Sequence, residues 1–318
     1  MESVQEWFAT DHYEFARQVL QRGVAALYLI AFLSTWRQFP ALLGDHGLLP
    51  ARRYLETRGR TQITLFRRHY SDRMLRLLCA AGAVIAAALV AGLPQLGPPW
   101  LPMVAFLVIW FGYLSIVNIG QTFYGFGWET LLCEAGFLVA FLGSNEVAPS
   151  ILTIVIVRWL VFRLEFGAGM IKMRGDRSWR DLTALYYHHE TQPMPNAFSR
   201  LAHLLPKPVH RLEVLGNHVA QLIVPFFLFA PQPVASIAAA VVIVTQLWLV
   251  LTGNFAWLNV ITIVLAFSAV SDEVVHALVP AMPAATAYPA DPVPLYWMVI
   301  VLAASALVVV LSRKPLAN

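Results

Sequence analysis

The sequence predicts an all-α protein: a polytopic membrane bundle of about nine transmembrane helices, preceded by an interfacial N-terminal helix. Three observations predict it. First, of 318 residues, 58% are hydrophobic and 13% charged, whereas soluble domains average about 25% charged. Second, the mean hydropathy of +0.64 is concentrated in apolar runs of about 20 residues, the length that crosses a bilayer core as a helix. Third, those runs are separated by Pro, Gly and basic clusters, such as Gly97-Pro98-Pro99, that end helices or anchor them at an interface.

The acidic, aromatic start MESVQEWFATDHYEF has no basic signal-peptide region, so the first span is expected to act as its own insertion signal. Residues 4–17 place Trp7, Phe8, Tyr13 and Phe15 among charges, as a helix lying on the membrane would. The first span follows at 19–39 and ends on Trp36 and Arg37. Residues 40–76 form a polar connection carrying Arg52, Arg53, Arg58, Arg60, Arg67, Arg68, Arg73 and Arg76. Such a run reads as a positive-inside loop against anionic lipid; Arg52-Arg53 could alternatively capture an anion. Further spans are expected at 75–96, 100–118, 128–144, 150–172, 212–230, 234–252, 255–271 and 295–312, with Pro225 kinking the sixth. Charge counting places the 40–76 and 172–211 loops on the cytoplasmic side. Cys79 and Cys133 lie in apolar runs and imply no disulfide framework, and nothing resembles a nucleic-acid module. The Ala-, Val- and Leu-rich spans suggest a bacterial inner membrane.

Chemistry concentrates between Arg158 and Pro195. Charge inside a membrane helix is costly and usually paired or functional. Arg158, Glu165 and Lys172 are spaced by seven residues, so each step drifts only about 20° and all three share one helix face. Arg163 points about 140° away from Arg158; Glu134, deep in the preceding span, is its candidate partner. This set can be a register lock, a polar binding cavity, or a site where Glu165 or Lys172 works as acid or base. Gly167 and Gly169 permit close approach of another backbone. In the following loop, Asp176 or Ser178 can cap a short helix containing Trp179–Tyr187, and Pro193 and Pro195 end it. His188, His189, His203, His210 and His218 cluster in sequence. The pair His188-His189 with Glu190 lacks the i, i+4 spacing of H-E-x-x-H, so no metal is assigned. There is no nucleophile elbow and no Walker or dinucleotide fingerprint, and no cofactor is expected. Asn254 and Asn259 stand in apolar surroundings, where interhelical hydrogen bonds are expected. Asp272 reads as a helix-end charge or the partner of a buried cation.

Residues 128–259 resemble the lipase maturation factor family. The resemblance is carried by Trp128 with LLCEAGF (131–137), RWLVFRLEFGAGMIK (158–172), the block W-x-x-LTAL-x-YH-x-ETQP-x-P (179–195), FSRLAHLLPKPVHRLEVLGNHVAQLIVPFFLFAP (198–231) and LTGNFAWLN (251–259). YLIAFLSTWRQ (28–38) and GLLPA (47–51) match the family's opening. The resemblance implies one membrane domain over 1–318 and a non-enzymatic factor that helps secreted lipases fold or assemble, in the endoplasmic reticulum membrane in animals. A more distant relation to the membrane domain of vitamin K-dependent carboxylase implies the alternative: an enzyme or binder acting on a lipid or quinone. Three departures stand out. The family's soluble C-terminal part is not expected within a chain that ends at Asn318, its second acidic position in the sixth span is Gln221 here, and its aromatic pair after Gly-Asn is Phe255-Ala256 here.

The residues expected to form the functional core are therefore Glu134, Arg158, Arg163, Glu165, Lys172, Trp179, Asp181, Thr183, Tyr187, His188, Glu190, Thr191, Gln192 and Pro193, with Asn254 and Asn259 as polar intramembrane groups. The expected partners are membrane lipid, a secreted lipase client, and a lipid or quinone ligand. Such a client requires the 173–211 loop on the export side, opposite to the side that charge counting gives.

Overall fold

The computed structural model describes residues 8–58, 63–192, 194–281, 288 and 293–317. Its main helices are α1 (Glu14–Leu43), α2 (Ala51–Arg58), α3 (Asp72–Ala91), α4 (Trp100–Val117), α5 (Gly127–Val139), α6 (Ile151–Arg174), α7 (Lys207–Leu222), α8 (Val234–Thr252), α9 (Leu258–Ala266), α10 (Asp272–Leu278) and α11 (Leu295–Ala317). Among the described residues there is no strand, only an isolated bridge between Ala9 and Ser150. Among the described residues, six helical segments are long and apolar enough to cross a membrane: α1, α3, α4, α7 with its extension to Phe229, α8 and α11. A seventh arises if Leu258–Ala269 and Asp272–Leu278, bent by 103°, form one broken span. Two of the expected spans differ in kind. The fourth is a short helix, α5, continued by a 3-10 turn over Ala140–Leu142. The fifth, α6, has the length but carries Arg158, Arg163, Glu165 and Lys172.

The chain divides into two compact units, one of residues 1–11, 17–153 and 286–318, the other of 12–16 and 154–285. In the first, α3, α4 and α5 pack in sequence order. Tyr28, Phe32 and Tyr113 form an edge-to-face cluster at its centre. Gly136 is required there, because a Cβ would lie 2.1 Å from the Tyr28 hydroxyl. Arg17 is fully buried, and its guanidinium donates to the carbonyls of Ser144 and Val147 and to Asn145. The Arg-rich connection is partly helical. Arg52 pairs with Asp45 at 3.0 Å and donates to the Tyr70 carbonyl at 3.4 Å. Ser71 caps α3 by accepting the Met74 N–H. Cys79 and Cys133 are free and buried.

The expected surface helix over 4–17 does not run through 9–13. Residues 1–7 lie outside the described residues, and Thr10 donates its N–H to the Pro149 carbonyl instead of to a helical partner.

In the second unit, α8 packs against α7, α9 and the 3-10 segment Val224–Phe229. Pro225 forces that segment: it lacks an N–H and its ring obstructs the preceding turn, so α7 stops at Leu222. Phe226 and Phe229 then pack edge-on against Phe162 of α6. Asp272 resolves as a helix-end charge. Its carboxylate accepts the backbone N–H groups of Glu14 and Phe15, both at 2.9 Å, satisfying two orphan donors at the start of α1.

Candidate functional site

Helices α6, α7, α8 and α9, with the loop after α6, enclose a cavity of about 640 Å³ within the second unit. Its walls are largely apolar, with Leu164, Leu185, Val209, Val244, Leu249, Leu258 and the rings of Trp248 and Phe255. Glu165, Lys172, His188, His189, Gln192, Glu213, Asn217, Gln221, Gln246 and Asn259 interrupt that lining. A roomy apolar pocket with a few converging polar groups is the usual form of a small-molecule site.

Lys172 sits where α6 passes α7. Its ammonium donates to Asn217 Oδ1 at 2.6 Å and to Gln221 Oε1 at 2.8 Å, and lies 4.9 Å from the centre of the Trp179 ring. Two amide oxygens and an aromatic face thus hold a partly buried cation. Gly169, one helical turn earlier, allows this approach: a Cβ there would come within 2.6 Å of Leu222 and 3.1 Å of Gln221. Gly167 has nothing within 4 Å of the same position, so of the two glycines only Gly169 serves close packing. Glu165, 1% exposed, accepts from Gln246 Nε2 at 2.5 Å.

The expected Arg158–Glu165–Lys172 face is divided in the structure. Arg158 does not line the cavity. It is buried, donates through Nε to the Ser268 carbonyl at 2.9 Å, and stacks 4.9 Å from the Tyr13 ring centre. Glu134 belongs to α5 of the first unit and Arg163 to α6 of the second, and neither lines the cavity.

The loop after α6 folds on its own capping interactions. Asp176 accepts from the Ser178 N–H and from the Tyr187 hydroxyl, each at 2.9 Å. These two bonds, in that order of size, hold its carboxyl below the usual range. Leu182 adopts φ +58 and Thr183 N–H donates back to the Ser178 carbonyl at 2.8 Å, closing a tight turn. The expected helix over 179–187 is therefore only one turn, Arg177–Arg180. Trp179 and His188 reach the cavity, with rings 5.6 Å apart. Burial holds both His188 and His189 below the ordinary histidine pKa, with the Lys172 charge adding to the effect on His188 and Glu213 opposing it on His189. Both rings are therefore neutral near pH 7.

Several expected site residues lie elsewhere. Asp181 pairs with Arg177 on the surface at 3.1 Å, four residues apart on one turn. Thr183 and Tyr187 serve the turn itself. Glu190 faces His203 at 3.6 Å and is half exposed. Thr191 is exposed, and Pro193 lies outside the described residues. Asn254 is exposed and accepts from the Ala256 N–H at 3.3 Å, because α8 has already ended at Thr252; this corrects its expected interhelical role. Asn259 is buried on the cavity wall.

Gln192 is the loop's anchor. Its Nε2 donates to the carbonyls of His189 and Thr252 and to Ser199. Asn196 adds a second anchor, donating to the carbonyls of Val250, Leu251 and Gly253 at the end of α8. Asn196, Glu213, Asn217 and Gln246 were not anticipated as site residues. A polar residue inside an apolar helix was the one available signal for Gln246.

A family model described as Lipase maturation factor transmembrane domain matches residues 15–277. The chain is 37% identical over 291 residues to lipase maturation factor 1 of Bos taurus, an alignment covering 84% of this chain and 51% of that one. Against lipase maturation factor 1 of Homo sapiens the identity is 36% over 298 residues, covering 86% and 51%. Against lipase maturation factor 2 of Gallus gallus it is 35% over 284 residues, covering 81% and 38%. The chain thus spans about half the length of these relatives or less. No solved structure matches it.

Proposed function

The chain belongs to the lipase maturation factor family, and on that premise we propose that it is a membrane-bound factor that helps exported lipases, or related secreted clients, reach their active fold without catalysing a covalent step. The observation that carries this reading is the similarity to lipase maturation factors, 36–37% identity over more than four-fifths of this chain. The cavity supports the non-enzymatic form. Its ammonium, Lys172, is already engaged by Asn217, Gln221 and the Trp179 face, and its most buried carboxylate, Glu165, by Gln246. The direct test is a host that secretes a lipase, with and without this gene. Removal of the gene lowers activity per mole of secreted lipase and leaves lipase synthesis unchanged; unchanged specific activity overturns the proposal.

We place the protein in a bacterial inner membrane, on the Ala-, Val- and Leu-rich composition of its spans. It crosses about nine times, with α5, α6 and the bent α9–α10 pair joining the six apolar segments. The client meets the loop between α6 and α7 on the export side. Met194 is 53% exposed and the two native cysteines are buried, so a cysteine at Met194 reports the side cleanly. Met194→Cys reacts with an impermeant maleimide added outside intact cells; labelling only after lysis places the loop inside and contradicts this reading.

The cavity also supports a second reading, a binder or enzyme for a lipid or quinone. About 640 Å³ of mostly apolar lining, with polar groups at Glu165 and Lys172, suits one acyl or isoprenoid segment with a polar end. Native mass spectrometry of the purified protein then shows one retained lipid or quinone per chain, lost when Val244→Trp fills the cavity; a bare protein refutes it.

A further inference from the structure

Beside the cavity, three side chains converge with more lone pairs than donors. His189 comes from the single turn His188–Thr191, while His210 and Glu213 share one face of α7. One ligand-type atom from each lies within 4.8 Å of the others. The His210 imidazole is oriented from behind. Its Nε2 meets the His203 carbonyl at 3.2 Å. A carbonyl only accepts, so Nε2 is the donor there, and the other ring nitrogen, Nδ1, faces Glu213 Oε2 at 3.1 Å. The His189 Nε2 is buried with no hydrogen-bond partner among the described residues. Glu213 Oε1 is likewise buried without a partner. Acceptors pressed together away from water cost free energy unless something positive joins them.

The contact between His210 and Glu213 engages Oε2 alone and leaves His189 Nε2 and Glu213 Oε1 unsatisfied among the described residues. A divalent metal ion satisfies all of them. We propose that His189, His210 and Glu213 form a binding site for a divalent transition metal of the zinc type. The donor set, two imidazoles and a carboxylate, is one that zinc accepts, whereas calcium and magnesium prefer oxygen alone. His210 uses its other ring nitrogen on the His203 carbonyl, the outer contact that metal-bound imidazoles usually make. Zinc bonds of about 2 Å bring donor atoms to roughly 3.3 Å of one another, so the side chains close in by about 1 Å on loading. The ion ties the loop after α6 to α7. Because His189 and Glu213 both line the cavity, the fourth coordination position is available to water or to an oxygen-bearing ligand there.

The test uses the full chain in detergent, stripped with chelator and then titrated with zinc sulfate, with bound zinc measured by elemental analysis after desalting. One zinc per chain is expected. Glu213→Gln and His189→Phe each weaken binding by about 10-fold or more, while His218→Gln, on the same helix but outside the cluster, binds as the parent does. His189→Cys retains the site and, loaded with cobalt(II) in place of zinc, gains a thiolate-to-metal absorption band. No stoichiometric zinc, or equal binding by Glu213→Gln and the parent, overturns the proposal. Where Glu213→Gln or His189→Phe fails to fold, the cobalt-loaded His189→Cys protein decides: absence of the thiolate band refutes the site.

Discussion

Glu165 and Lys172 are legible in the sequence as charge in an apolar run, but what holds them is not. Their partners, Asn217, Gln221 and Gln246, are neutral amides on helices that follow 45 or more residues later. No charge pattern points to them, and only the packing of α6 against α7 and α8 brings them in. The consequence is measurable. Gln246→Leu leaves a carboxyl oxygen of Glu165 buried without its donor, a loss of about 1–3 kcal/mol, seen as earlier thermal unfolding in detergent; an unchanged unfolding curve contradicts the assignment. Asp176 gives a prediction in pH. Its folded pKa is depressed by the Ser178 N–H and the Tyr187 hydroxyl. Its contribution to loop order is thus fully present above the unfolded value of about 3.9 and is lost as pH falls through the lower folded value. Protease cleavage within 177–187 rises only below that range, and Asp176→Ala shows the raised cleavage already at neutral pH. A parent loop whose cleavage never rises as acidification protonates Asp176, or an Asp176→Ala loop cleaved no faster than the parent at neutral pH, refutes the cap.

At the scale of elements, seven-residue spacing correctly placed Glu165 and Lys172 on one cavity wall, but it could not tell that Arg158, two turns earlier than Glu165, meets Ser268 and Tyr13 instead. Helical periodicity describes a face and is blind to what covers each part of it. The same holds for Gly167 and Gly169, which look alike in sequence. Gly167→Ala adds a methyl group in open space and gains up to about 1 kcal/mol of helix propensity. Gly169→Ala presses on Leu222 and Gln221, at about 1–3 kcal/mol for overpacking. The pair is therefore expected to differ in thermal stability, with Gly169→Ala the weaker, and equal stabilities would contradict the close α6–α7 approach. Helix ends were read best where chemistry is local: Asp176 caps its turn, and the span expected over 234–252 is α8 itself, Val234–Thr252. Pro225, read as a kink, instead ends α7 at Leu222, and nothing local showed that Asn196, more than 50 residues earlier, donates to the carbonyls at the end of α8.

For the whole molecule, the all-helical membrane character was written in composition and run length, because a bilayer leaves a chain few ways to satisfy its backbone. The family was written in the LTALYYHHETQP block and the segments around it, which the match over 15–277 bears out. The cavity was not readable as a volume. It is made by four helices and a loop whose relative placement no single stretch encodes, and the donors that converge beside it come from segments 21 to 24 residues apart in the chain. The most direct measurement of the central claim is the ratio of lipase activity to lipase protein secreted by a host lacking its own factor, complemented with this chain, with Lys172→Met, or with nothing. The account predicts a high ratio with the parent chain, a ratio falling toward the empty host with Lys172→Met at equal membrane abundance, and equal lipase protein throughout. A ratio that is the same with the parent chain and with nothing would contradict it.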